Sequence, residues 1–146
     1  TCTDNVIWIS PETRLPRNCS RFASLMEQLY ESKRIPPEEK GELPLLTLKH
    51  QTLAQLVSAI KPTHTLALSR IGKPRTLETA VRDLVRHKRP AVLVGGFPRG
   101  HFSQSTLKLA DEVVSIDRET LETWTVVSRL IYEYERVLTL PGKRLE

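Results

Sequence analysis

The sequence predicts an α/β fold, a mostly parallel sheet flanked by helices, and three observations carry that reading. Short apolar runs such as NVIWI (Asn5–Ile9) and PAVLV (Pro90–Val94) are continuous rather than alternating, as in strands covered on both faces. They alternate with segments whose apolar residues recur at helical spacing. Several of the runs end in glycine-bearing loops, and in open α/β sheets ligands bind beyond the carboxyl ends of the strands.

Along the chain, Asn5–Ile9 reads as a buried strand closed by Ser10-Pro11, followed by the turn-rich PETRLPRN. Residues 17–31 carry Phe22, Leu25, Met26, Leu29 and Tyr30 at helical spacing, with Arg17 and Arg21 on a shared face away from that stripe. Residues 32–44, polar and proline-rich, read as a loop. A strand at 45–48, a short helix at 52–60 and a buried strand at 65–69 follow, and then the loop RIGKP. Residues 76–87 form a helix with Thr76 as N-cap and, because Thr79 replaces Glu or Gln, an incomplete capping box. Pro90–Val94 and 112–116 are further strands. The longest helix, 121–138, sets Leu121, Trp124, Val127, Ile131, Tyr134 and Leu138 along one side.

A length of 146 residues suits a single domain spanning 1–146, and 39% hydrophobic residues exclude a disordered chain. No apolar run approaches the ~20 residues that cross a bilayer, and TCTDNVIWIS has no signal-peptide pattern. Cys2 and Cys19 fit neither a metal spacing nor a disulfide framework, so a cytoplasmic setting is the default. The four histidines are scattered, which argues against a metal site.

The formal net charge of +5 is unevenly spread. Residues 61–101 hold nine basic side chains (Lys61, Arg70, Lys73, Arg75, Arg82, Arg86, Lys88, Arg89, Arg99) against Glu78 and Asp83. The flanking segments are close to neutral, so a polyanionic partner is expected for the centre of the chain. Arg14, Arg17 and Arg21 form a second compact cluster suited to phosphate oxygens, although three surface arginines are an ordinary occurrence.

Three loops follow buried strands: LSRIGKPR (68–75), VLVGGFPRG (92–100) and SIDRETLE (115–122). Each alone reads equally well as a tight turn. On one edge of a parallel sheet they converge on one pocket, where glycine lets a ligand approach the backbone. The spacing is not that of a dinucleotide fingerprint, and no Ser/His/Asp arrangement stands out.

The run NVIWISPETRLPRNCSRFASLMEQL, through Pro11, Arg14, Pro16, Arg17, Arg21, Phe22, Leu25 and Met26, resembles the signature of the ribosome-biogenesis pseudouridine N1-methyltransferases. LVGGFPRGHFS and EVVSIDRETLETWTVVSRLIYEYE resemble that family's cofactor loop, next strand and last helix, in an archaeal-looking form. The resemblance covers nearly the whole chain. It implies a SPOUT-type α/β knot with a C-terminal trefoil knot, bound S-adenosyl-L-methionine and a homodimer acting on small-subunit ribosomal RNA. Carried over, it implies cofactor contacts at Ser69, Gly95, Gly100, Ile116, Asp117, Arg118, Glu119, Thr120 and Leu121, and RNA contacts at Arg14, Arg17 and Arg21. Arg99 stands where the family usually has His. Nothing matches the family's upstream RPDI-x-HQ segment, so the resemblance implies an N-terminally truncated chain and no catalytic base within it. Two alternatives stay open: a non-catalytic RNA-binding assembly factor, and a SPOUT methyltransferase acting on transfer RNA. Binding of the methyl donor separates an enzyme from a factor.

Overall fold

The computed structural model describes residues 1, 3–38, 43–97 and 100–145; Cys2 and Arg99, singled out above, lie outside the described residues. The chain divides into two compact units, Thr1–Leu56 and Val57–Glu146, each with its own sheet.

In the first unit, β1 (Asn5–Ile9), β2 (Arg34–Ile35) and β3 (Leu46–His50) form a sheet in the order β1-β3-β2, antiparallel throughout. The helix α1 (Cys19–Ser32) buries Leu29 against Leu46 and Leu48, with Ile7, Leu25, Met26 and Ile35 around them. The expectation of a doubly buried first strand is therefore corrected. β1 is an edge strand, Ile7 reaches the core, and Trp8 and Ile9 are 44% and 51% exposed. Continuous apolarity cannot reveal a one-sided edge strand, because only the pairing partner decides which face is covered. The helix also begins later than its periodicity implies. Asn18 takes extended backbone and accepts the Arg21 N–H at 3.2 Å, an N-cap that leaves Arg17 outside the helix. Arg17 and Arg21 thus do not share a helical face. The two-residue β2 falls where a loop was expected.

α2 (Leu53–Ile60) leads to the second unit, which contains the predicted parallel sheet flanked by helices. Its strands β4 (His64–Pro74), β5 (Pro90–Val94) and β6 (Glu112–Ser115) are ordered β5-β4-β6, all parallel. α3 (Leu77–Leu84), capped by Thr76, and α5 (Thr123–Val137) cover the sheet. Leu66, Leu68, Ala80, Leu84 and Val114 form the core, packed by Val92, Val126, Leu130 and Tyr134 among others. Fully burying one such Leu or Val contributes about 1.5–3 kcal/mol. The short helices α4 (Gln104–Leu107) and α6 (Leu140–Lys143) were not read from the sequence, since four residues cannot display a helical period. The long helix divides its apolar residues between two faces. Val126, Leu130 and Tyr134 pack on the core, while Trp124, Ile131, Tyr132 and Leu138 are exposed.

The main departure is in β4. RIGKP was expected to be a loop, yet the strand runs to Pro74 by pairing with β6 twice. Leu66–Leu68 face Glu112–Val114, and after a break Lys73 and Pro74 face Val114 and Ser115. Residues 69–72 therefore bulge out of the ladder, which carries Ser69 and Arg70 beyond the strand-end line.

Arg75, directly after β4, ties that strand end to α3 and β6, donating to Asp83 at 2.6 Å and to Glu112 at 2.8 Å. Arg136 likewise joins α5 to Glu78 of α3 at 3.0 Å. The Arg75 hydrogen bond holds the Asp83 carboxyl below its usual range, and Arg136 does the same for Glu78. A depressed folded-state pKa contributes stability that is present above the unfolded value, ~4 for carboxylates, and lost as pH falls through the folded one. The urea midpoint is therefore expected to drop between pH 5 and pH 3, and Asp83→Asn to flatten that slope. An identical slope in the variant would mean that the Arg75–Asp83 pair does not couple to folding.

Candidate functional site

The carboxyl ends of β4, β5 and β6 surround a cavity of about 460 Å3. The β4 bulge contributes Ser69 and Arg70, the loop after β5 contributes Gly95, Phe97, Gly100 and His101, and the segment after β6 contributes Ile116, Asp117, Glu119, Thr120 and Leu121. The three loops singled out in the sequence thus meet, as parallel strands ending on one edge dictate. Of the sequence-predicted cofactor contacts, Arg118 alone is absent from the lining; it is exposed.

Internal hydrogen bonds set the shape of the segment after β6. Ser115 Oγ donates to the Asp117 carbonyl at 2.8 Å, and the Glu119 N–H donates to Asp117 Oδ1 at 3.0 Å, turning the chain back. Arg129 of α5 approaches the same carboxylate at 3.6 Å. Arg70 Nη1 reaches Thr120 Oγ1 at 3.2 Å, linking the first loop to the third. Thr123 Oγ1, at the start of α5, donates to the Gly95 carbonyl at 2.7 Å and fixes the second loop. Gly100 has φ +92°, a conformation that favours glycine. Phe97 lies edge-on to Phe102 with ring centroids 5.4 Å apart, and both rings line the cavity.

One wall atom lacks a partner. Ser69 Oγ is buried and makes no hydrogen bond among the described residues. A buried hydroxyl left unpaired costs about 1–3 kcal/mol, so its place on a cavity wall points to a ligand that satisfies it. Phe97, within the 92–100 loop singled out in the sequence, lines the cavity, and Phe102, Thr123 and Val126 also line it and were missed by sequence reasoning. Their facing is a tertiary matter. Among the described residues, no group of three or more His, Cys, Asp or Glu could hold a metal ion, and no helix is long and apolar enough to cross a membrane.

In the first unit, Arg14, Arg17 and Arg21 are exposed, and none makes an ion pair among the described residues. Arg21 lines a shallow groove with Pro16, Ser20, Ser24, Leu25 and Gln28; Arg14 and Arg17 lie outside it.

Comparison with known proteins bears on this geometry. The profile of a family described as EMG1/NEP1 methyltransferase matches residues 1–135. The chain is 39% identical over 135 residues to the Ribosomal RNA small subunit methyltransferase Nep1 of Pyrococcus furiosus, covering 92% of this chain and 57% of that protein. It is 39% identical over 140 residues to the protein of the same name from Thermococcus kodakarensis, covering 96% and 60%. Among solved structures it is similar to Archaeoglobus fulgidus Nep1 bound to S-adenosylhomocysteine, with a TM-score of 0.75 and 31% identity over 95% of this chain and 60% of that one. The chain spans less than two thirds of the length of each of these relatives.

Proposed function

The chain belongs to the EMG1/NEP1 methyltransferase family, and from that premise we propose that its cavity holds S-adenosyl-L-methionine for methyl transfer to N1 of a pseudouridine in small-subunit ribosomal RNA. The observation that carries this reading is the unpaired Ser69 hydroxyl on a cavity wall built by three strand-end loops. The residues suit the group: Gly95 and Gly100 bring backbone to the wall, apolar walls come from Leu68, Val94, Ile116 and Leu121, and Asp117 offers a carboxylate to a cation. The reading assigns cofactor contacts to Ser69, Gly95, Gly100 and 116–121, Arg118 contributing through its backbone alone.

Bound there, S-adenosyl-L-methionine supplies an electrophilic methyl group. The chain's own part is alignment and exclusion of water, the main contributions to an in-line displacement. The Ser69 hydroxyl orients the donor, and the Phe97 and Phe102 rings close off solvent. The proton that leaves N1 needs a base, and we assign none to this chain. The target base must leave its stack to reach the cavity, at a cost of a few kcal/mol. Arg14, Arg17 and Arg21 hold the RNA by its phosphates and so fix the register while the pocket selects the base.

The same reading takes the two units as parts of one methyltransferase domain, consistent with a family match that runs across both. A C-terminal trefoil knot accords with the double pairing of β4 against β6. A homodimer accords with the exposed Trp124, Ile131 and Leu138 along α5, and the ribosomal substrate with a cytoplasmic location.

Two measurements test the proposal. Ser69→Ala is expected to weaken S-adenosylhomocysteine binding roughly two- to tenfold by calorimetry, the worth of one hydrogen bond. Its melting temperature should not fall, since the hydroxyl has no partner to lose. Undiminished affinity would remove Ser69 from the site, and a wild-type chain without affinity would refute the cofactor assignment. Replacing Arg14, Arg17 and Arg21 with Ala should weaken RNA binding and lower its salt slope by roughly 0.7–0.9 for each phosphate no longer engaged. Calorimetry on that variant should return wild-type S-adenosylhomocysteine affinity, and unchanged RNA binding would reduce the three arginines to surface charge.

A further inference from the structure

We propose that the amino-terminal edge of the parallel sheet, at the end opposite the cavity, is a second RNA surface that takes the sugar-phosphate backbone of a helical segment. The proposal rests on the reading that the substrate is RNA and goes beyond the contacts of Arg14, Arg17 and Arg21. β4 and β5 start side by side at His64 and Pro90. The turns leading into them are joined by hydrogen bonds from Thr63 N to the Arg89 carbonyl at 2.9 Å and from Arg89 N to Thr63 Oγ1 at 3.0 Å. The His64 and His87 rings stack with centroids 4.4 Å apart. Arg89 donates through its guanidinium to the Ile60 carbonyl. These bonds gather Lys61, Arg86, Lys88, Arg89 and the two histidines on one edge.

The acidic groups there are already engaged. Asp83 accepts from Arg75 at 2.6 Å and lies 3.4 Å from Arg86. Asp111 accepts the Thr65 N–H at 2.7 Å and lies 3.9 Å from His64 Nδ1. Lys61 and Lys88 are exposed and make no ion pair among the described residues. Arg86 is paired with Asp83, but Lys61, Lys88 and Arg89 make no ion pair among the described residues, and three such cations on turns tied together by hydrogen bonds are the footprint of a polyanion site.

The chemistry of the edge selects the partner. None of the exposed large hydrophobic side chains lies in these two turns, which disfavours insertion into a lipid surface. No Phe, Tyr or Trp stands there to stack unpaired bases, and the two imidazoles stack on each other, which disfavours a single strand. Backbone contacts to a helix need neither. Five strand residues separate this edge from the cavity, roughly 15 Å, so an RNA whose loop enters the cavity can lay an adjoining stem along it.

The test uses this chain, a short labelled RNA hairpin and an unstructured RNA of equal length, followed by fluorescence anisotropy across a salt series. The variant combines Lys61→Asn, Arg86→Ser and Lys88→Ser. Asn tolerates the φ of +46° at position 61, and Arg89 is kept because it bonds to Ile60. A control removes Lys73, Lys108 and Lys143, exposed cations elsewhere on the same unit. Circular dichroism checks that both fold. The edge variant is expected to bind the hairpin at least about tenfold more weakly than the control near 0.1 M salt, with a slope smaller by about two. Hairpin affinity equal to the control's overturns the proposal, as does loss of binding to phosphatidylserine vesicles with RNA binding intact. If the Arg14/Arg17/Arg21 variant loses RNA affinity and the edge variant does not, only this surface falls. If the unmodified chain binds neither RNA, the proposed function falls with it.

Discussion

Gly72→Ala is expected to lower stability by at least about 1–3 kcal/mol, the usual range for forcing extra volume into a packed interior, against totals of about 5–15 kcal/mol for a domain. A Cβ at this position would lie 2.6 Å from both the N and C atoms of Val114 and 2.7 Å from the carbonyl carbon of Val113. These are backbone atoms of β6, fixed by pairing with β4 on both sides of the bulge. The strain can be relieved only by moving two strands apart, which loosens the Val114 core and shifts Ser69 at the cavity wall. Gly96→Ala, where an added Cβ meets nothing within 4 Å, is the matched control. Urea unfolding by circular dichroism measures both. A Gly72→Ala midpoint equal to that of Gly96→Ala would show that the bulge relaxes and that the close approach is not required.

The same position shows where sequence reasoning reaches its limit. Gly72 was visible as a loop glycine in RIGKP, and the loop was rightly grouped with those after β5 and β6. That the segment re-enters the ladder was not visible, since the pairing of Lys73 with Val114 joins residues 41 positions apart and leaves no local period. Pro90–Val94 and Asn5–Ile9 were legible to the residue because β-branched and apolar side chains stand between turn formers. Whether such a run lies in a parallel or an antiparallel sheet depends on a partner far along the chain, which is why β1 was misplaced. The start of α1 was legible in principle, since Asn18 is a strong N-cap, but the apolar stripe drew the boundary past it. In the site, glycines and strand ends marked the backbone. The unpaired Ser69 hydroxyl and the facing of Thr123 and Val126 belong to tertiary packing and leave no trace in spacing.

Gly95→Val should behave in the opposite way to Gly72→Ala: folded protein, weakened ligand binding. A Cβ at Gly95 would lie 2.6 Å from Cζ of Phe97 and 3.0 and 3.1 Å from its ring neighbours. This obstacle is the far end of a side chain that is 42% exposed, so the ring can swing aside at little cost to stability. The displaced ring and the two added methyl groups then compete for the same cavity, which both residues line. If crowding there costs about 1–3 kcal/mol, S-adenosylhomocysteine affinity falls roughly 5- to 150-fold. The Thr123 bond is to the Gly95 carbonyl and survives the substitution, so the loop keeps its anchor. Glu119→Ala, on the exposed rim, should change affinity little. Calorimetry of the three proteins beside their melting temperatures separates the effects. A Gly95→Val chain that melts like wild type and still binds S-adenosylhomocysteine normally would place the ligand away from the Gly95 wall, since the valine and the displaced Phe97 ring would both intrude there.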